Sequence, residues 1–184
     1  MFKLLVALSL LICVGLVENL SAQEAAQKTK ELVAALDKTK YKKKEKANVS
    51  IEVFVDVKNE AVVRPNKSEY SGRYESDDYQ LILSVAEDGT ASGTGFDSSV
   101  GSDKVLKFSL KDTRVQGALL SGTKLYENGS EQPFDAVFVN RTSRVGTSPS
   151  VAKQEPTQFG IGFIQYENGN SYSGWTNRVF LEKQ

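Results

Sequence analysis

The sequence predicts an all-β fold: an antiparallel up-and-down meander that closes into a small barrel of about eight strands, preceded by an N-terminal amphipathic helix. Three observations predict it. From Val49 onward, apolar and polar residues alternate with period two, the pattern of strands with one buried face. Short turn pairs, Asp88-Gly89, Asn128-Gly129 and Asn168-Gly169, punctuate that alternation. Glycines at 93, 95, 117, 122, 160, 162 and 174 recur within it, as sharply bent strands of a small barrel require.

The chain opens with MFKLLVALSLLICVGLVENLSA. Lys3 gives a short positive start, an apolar run from Leu4 to Val17 follows, and Leu20-Ser21-Ala22 ends in small residues. This is the pattern of a secretory signal peptide, residues 1–22, cut after Ala22. The run is short for a membrane span, and no second apolar run follows, so no transmembrane span is expected after cleavage. Residues 23–48 contain no Gly or Pro and place Ala25, Thr29, Leu32, Val33 and Leu36 on one helical face. They predict a basic amphipathic helix that frays in its lysine run. This segment has eight lysines against four acids, whereas the predicted barrel domain, 49–184, has 14 basic and 18 acidic residues. The whole chain has zero formal charge, so no nucleic-acid partner is expected.

In the first strand, Ile51, Val53, Val55 and Val57 alternate with Glu52, Phe54, Asp56 and Lys58. Arg64-Pro65-Asn66-Lys67 then breaks the chain. Eight strands are predicted beyond the break, roughly at 70–76, 79–87, 90–97, 104–110, 113–127, 130–140, 158–167 and 170–182. The glycine turns are read as two-residue hairpins in which both central residues take positive φ. With 113–127 as one strand, Asn128-Gly129 and Asn168-Gly169 fall at one end of the barrel. Asp88-Gly89 and a long loop, 141–157, fall at the other. A split at Gly117 would break that count.

Gly89, Gly129 and Gly169 are forty residues apart, a spacing that suggests propeller blades. The body is too short for the blades a propeller needs, and the residues around the three turns share little beyond the turn itself. A barrel that closes its own edges accounts for the same turns more simply.

The stretch Ser71-Gly72-Arg73-Tyr74, then Leu81-Ile82-Leu83-Ser84-Val85, Asp88-Gly89-Thr90 and Gly93-Thr94-Gly95, resembles the opening hairpins of calycin barrels, the lipocalin and avidin group. Tyr74 stands where that group usually has Trp. The resemblance implies a cup for a small, mostly apolar molecule; it carries over no ligand-contacting residue.

The chemistry open to the chain is narrow. There is no histidine, and Cys13 lies in the leader, so triads, cysteine nucleophiles and ordinary zinc sites are excluded from the mature chain. No phosphate-cradling glycine loop opens a helix. No catalytic residues, metal or cofactor are therefore predicted. Asp77-Asp78 is the one obvious carboxylate doublet for a hydrolase, but it sits where a turn belongs. The oxygen-rich loop from Asp97 to Asp103 lacks the spacing of a calcium loop. Trp175, Tyr172, Tyr166 and Tyr126 cluster near the YENG turns and are the candidate ligand-binding residues, with core packing as the alternative. Lys42, Lys43 and Lys44 are candidates for binding an anionic surface, against a solvated helix end. Arg73, Arg114 and Arg178 would suggest anion binding if they pointed inward. A disulfide-free exported chain fits a bacterial envelope. The sequence thus predicts a periplasmic or extracellular, non-enzymatic binding module, for a small apolar molecule or an envelope partner. The alternative is a structural or inhibitory domain that uses its outer face or loop 141–157.

Overall fold

The computed structural model describes residues 20–46, 49–98, 105–166 and 176–184. One helix, α1 (Ala22–Leu36), precedes the strands. Next come β1 (Lys38–Lys46), β2 (Val49–Ala61) and a 3-10 turn at Lys67–Tyr70. The remaining strands are β3 (Gly72–Glu75), β4 (Tyr79–Val85), β5 (Thr90–Ser98), β6 (Val105–Gln116), β7 (Leu119–Tyr126), β8 (Glu131–Gly146), β9 (Lys153–Gln154), β10 (Gln158–Tyr166) and β11 (Thr176–Lys183). All the ladders are antiparallel. Among the described residues no helix is long and apolar enough to cross a membrane.

Eight strands close the barrel in the cyclic order β3-β4-β5-β6-β7-β8-β10-β11, an up-and-down meander. They match the eight strands predicted beyond the Pro65 break. Closure comes from β7 on the first half of β8 (Leu119 opposite Val137) and from β11 on β3 (Lys183 opposite Tyr74). The alternation read from sequence points inward as expected: Tyr79, Leu81, Leu83 and Val85 of β4 are buried, as are Ala136, Phe138, Ile161 and Phe163. The end of the barrel at Gly117 is plugged by the 3-10 turn. Tyr70 stacks on Phe138 with ring centroids 4.0 Å apart, and its hydroxyl donates to the Val62 carbonyl while accepting from the Arg64 amide. The hydroxyl of Tyr74, fully buried beside it, donates to the Tyr70 carbonyl.

Two predicted strand boundaries are corrected. Lys111 and Asp112 do not end a strand. The chain instead bulges inside β6 at Asp112 and Thr113, which together oppose Gly122, and Asp112 takes φ 49°, a conformation Asp tolerates better than most residues. The turn lies instead at Gly117-Ala118, so β6 lengthens and β7 shortens. One turn replaces another, the strand count is unchanged, and Asp88-Gly89 and Asn128-Gly129 remain at opposite ends; Asn168-Gly169 lies outside the described residues. The 141–157 loop is also shorter than predicted, because β8 runs on to Gly146 and pairs with β9.

The turn type is corrected as well. Asp88 and Asn128 do not take positive φ; only Gly89 (φ 88°) and Gly129 (φ 82°) do. Each loop has three residues. Gly129 N–H donates to Tyr126 O and Tyr126 N–H to Ser130 O, and Gly89 and Ala86 make the same pair of bonds with Ala86 and Thr90. This is a type I turn closed by a left-handed glycine. Asn128 Oδ1 accepts from Ser130 N–H and Oγ–H, as the Asp88 carboxylate does from Thr90. The two turns are therefore one loop geometry used twice, with the Asp or Asn side-chain oxygen and the glycine in the same roles. Gly129→Val forces a β-branched residue into that φ and should destabilise the protein by roughly 1 kcal/mol or more. An unchanged melting temperature would contradict this turn.

The helix is shorter than the predicted 23–48. Ser21 caps it in a capping box with Glu24, and it stops at Leu36. The lysine run is not a frayed helix end but β1, paired along its length with β2. Tertiary pairing has overridden helix propensity: the alternating β2 gives the lysine strand a ladder that an isolated, self-repelling helix end lacks. α1 itself lies on the outer barrel wall. Leu36 is buried with Val137, Val139 and Ala118, and Lys28 pairs with Asp135 at 2.8 Å. Gly162 leaves room for it, since a Cβ there would run into Leu36.

Beyond the barrel, β8 continues. Its second half, Val139–Gly146, pairs with β2, and β2 with β1. A short twisted sheet of β1, β2, β8 and β9 thus projects from the barrel seam.

Candidate functional site

Two features carry unusual chemistry: a polar cluster inside the barrel and the basic sheet extension outside it. The interior cluster sits toward the Asn128-Gly129 end. There the inward positions of β5 and β7 hold Asp97 and Lys124 in place of apolar residues. Lys124 Nζ donates to both carboxylate oxygens of Asp97, at 3.0 and 2.8 Å, with both side chains at least nine-tenths buried. The ammonium also lies over the rings of Phe108 (4.8 Å) and Phe163 (5.1 Å). Tyr126 O–H donates to Asp97 Oδ2 at 2.7 Å and approaches Gln132 Oε1 at 2.8 Å. The carboxylate thus has partners on both oxygens, and its charge is matched by one cation.

This cluster, with Tyr79, Leu110, Leu120, Phe134, Ile161 and Leu181, fills the interior. Among the described residues, the cavity that these side chains enclose has a volume of about 20 Å³, enough for one water. A drug-sized ligand needs a pocket of roughly 300 Å³ or more.

Tyr126 is the predicted site residue that the structure describes fully, and it is built into the cluster, packed edge-on to Phe108. Tyr166 is the last residue of β10. Trp175 and Tyr172 lie outside the described residues. Asp97, read from sequence as the start of an oxygen-rich loop, instead points inward to Lys124. Asp77 and Asp78 occupy the exposed bend between β3 and β4, as a turn. The three strand arginines do not point inward: Arg73 pairs with Glu75, Arg178 donates to the Ala35 carbonyl, and Arg114 is exposed. Among the described residues no group of three or more His, Cys, Asp or Glu is placed to hold a metal ion.

Sequence reasoning missed the Asp97–Lys124 pair, although a signal existed. Gly93, Gly95 and Asp97 share one phase of β5, and Leu120, Gly122 and Lys124 one phase of β7. A charge on the apolar phase of two neighbouring parts of a barrel is the mark of an internal pair.

Burial has a further consequence. The phenol of Tyr126 is pushed well above the usual tyrosine range, by desolvation first and then by its bond to Asp97 and that carboxylate's charge. Tyr74 is raised mainly by desolvation, and Tyr70 likewise. In the unfolded chain these phenols ionise near pH 10, while in the fold they keep their protons. The folded state then binds more protons than the unfolded one, so stability is intact below about pH 10 and falls as pH rises above it. Melting curves from pH 8 upward should show that onset, with tyrosinate absorbance appearing together with unfolding. Full tyrosine ionisation in a still-folded protein would contradict the buried assignment.

The second feature is β1. It is an edge strand with sequence Lys-Thr-Lys-Tyr-Lys-Lys-Lys-Glu-Lys, so Lys42, Lys43 and Lys44 sit mid-strand, opposite Val53, Glu52 and Ile51. Nearby, on the outer wall, Arg141 lies 3.8 Å over the Phe180 ring and donates to Asn59, and burial lowers its pKa to about 10.

Fold and clusters together define a class: a closed, side-chain-filled eight-stranded antiparallel barrel with a helix on its wall and a basic sheet extension. Compared with family models, with curated proteins and with solved structures, the chain matches none.

Proposed function

We propose that this chain is an exported, non-enzymatic binding module that meets an envelope partner with the outside of its barrel. The observation that carries the reading is the interior: about 20 Å³ of free space and an acid already paired with a lysine and a phenol. A calycin-like cup for a small apolar molecule needs a hollow that these side chains occupy. The segments that remain for recognition lie together. The lysine strand and residues 141–146, the start of the segment predicted to act as an interaction loop, belong to the same sheet extension. Export rests on the leader pattern of residues 1–22, and a bacterial periplasm or exterior on the absence of cysteine beyond it.

Native mass spectrometry of the protein purified from its own source tests this. The bare mass of the chain lacking its leader is expected in the exported fraction. A stoichiometric small molecule retained by the barrel would return the protein to the cup reading. Intact leader residues in a cytoplasmic pool would overturn export.

A further inference from the structure

Within β1, lysine occupies every second position: 38, 40, 42, 44 and 46. Successive strand residues take opposite faces, so these five positions share one face, about 6.7 Å apart along the strand. Their ladder partners on β2 are Val57, Val55, Val53, Ile51 and Val49, without exception aliphatic. Cross-strand partners share a face, and β8 adds Val145 opposite Val55. No acidic residue holds any of these ladder positions. The other face is mixed: Thr39 opposite Asp56, Tyr41 opposite Phe54, Lys43 opposite Glu52, Glu45 opposite Ser50. Charge is therefore sorted by face, with a row of cations bordering an aliphatic stripe.

Lysines on an edge strand do protect it from pairing with other edges. That task needs only a few lysines and no apolar stripe beside them. The stripe is incompletely covered. α1 packs on this side of the sheet as far as Ala61, whereas Val53, Val55 and Val57 are only partly buried and Val145 is exposed.

We infer that this face of the extension docks on an anionic lipid bilayer, a step that rests on the outer-surface reading above. The charge row complements lipid phosphates, and the valine stripe complements the boundary between headgroups and acyl chains. Lysine stems lie well along apolar surface while their ammonium groups stay in the polar layer. A soluble polyanion such as nucleic acid or an acidic polysaccharide would use the lysines and leave the stripe idle. The stripe is what favours lipid.

The test is sedimentation of the full chain with phosphatidylcholine vesicles, with and without about one-third phosphatidylglycerol, and affinity for heparin in parallel. Each lysine near such a surface contributes about a fivefold factor, so K40Q/K42Q/K44Q should bind the anionic vesicles about a hundredfold more weakly than wild type. V53T/V55T keeps the lysines and the strand propensity. It should lose vesicle affinity severalfold and keep heparin affinity. Unchanged melting curves establish that the variants are folded, and the valine pair supplies an independent reading if the lysine variant is not. Comparing variants that share one leader cancels the leader's own affinity for lipid. Equal vesicle binding by wild type and the lysine variant overturns the proposal. Heparin binding lost with the lysines, while the valine variant binds vesicles like wild type, would make the ligand a soluble polyanion and also overturn it. A wild type that ignores both probes overturns the lipid assignment alone, since the outer-surface reading is decided by the native mass.

Discussion

Lys124→Met should cost about 3–5 kcal/mol, because it leaves the Asp97 carboxylate buried without its cation. The Tyr126 hydroxyl remains as a donor to one oxygen, but a single neutral hydrogen bond does not replace an ammonium that contacts both. Urea denaturation of wild type and variant reads the difference directly, and a loss below about 1 kcal/mol would contradict the buried pair. The double variant Asp97→Leu with Lys124→Met separates the pair's value from the cost of breaking it. Two apolar side chains of similar length should restore stability to within about 2 kcal/mol of wild type, since desolvation of both ions largely offsets their attraction. If the double variant is as damaged as the single, the cluster contributes something that apolar packing cannot.

Phe138→Ala should cost a comparable ~3–5 kcal/mol for a different reason. Phe138 is fully buried, stacked on Tyr70 at 4.0 Å, and close to Phe159 (6.4 Å) and Tyr74 (6.1 Å). Removing the ring opens a cavity under the 3-10 turn that plugs this end of the barrel. Amide exchange at Val62, whose N–H donates to Phe138 O, and around Tyr70 should quicken before that of β4 and β5. Phe138→Leu keeps most of the volume and should cost less than half as much. Equal losses for Ala and Leu would point to the ring's stacking rather than to its volume.

Much of the fold is legible in the sequence because period-two alternation is a local signal. The apolar phase of Tyr79, Leu81, Leu83 and Val85 needs no partner to be read, and the Gly89 and Gly129 turns mark strand ends independently. What failed was the reading of signals that depend on a partner far along the chain. The lysine strand looks helical beside Ala25–Leu36, and only its ladder to β2 makes it a strand. Lys111-Asp112 looks like a turn because it breaks the alternation, and a bulge breaks it equally well. The extension of β8 past Asn140 was hidden, since Arg141–Gly146 is polar and gains its order from β2 and β9. For the candidate site, Tyr126 lies in the interior, the core-packing alternative that the sequence offers beside a ligand mouth. An aromatic near a turn can line a mouth or fill an interior, and its position relative to Asp97, 29 residues away in sequence, decides which.

The ring of strands is sealed by Tyr74 and Lys183, residues separated by more than half the chain. Until β11 arrives, a growing polypeptide carries an open sheet with two raw borders, each able to recruit a neighbour's backbone. Such distant contacts also make the search for the folded state slow. The time between synthesis and sealing is therefore the most hazardous in this molecule's life. During it, β3 and β10 are the raw borders, and the crowd of like charges on β1 keeps a third free edge, that of the extension, repellent to other copies of itself.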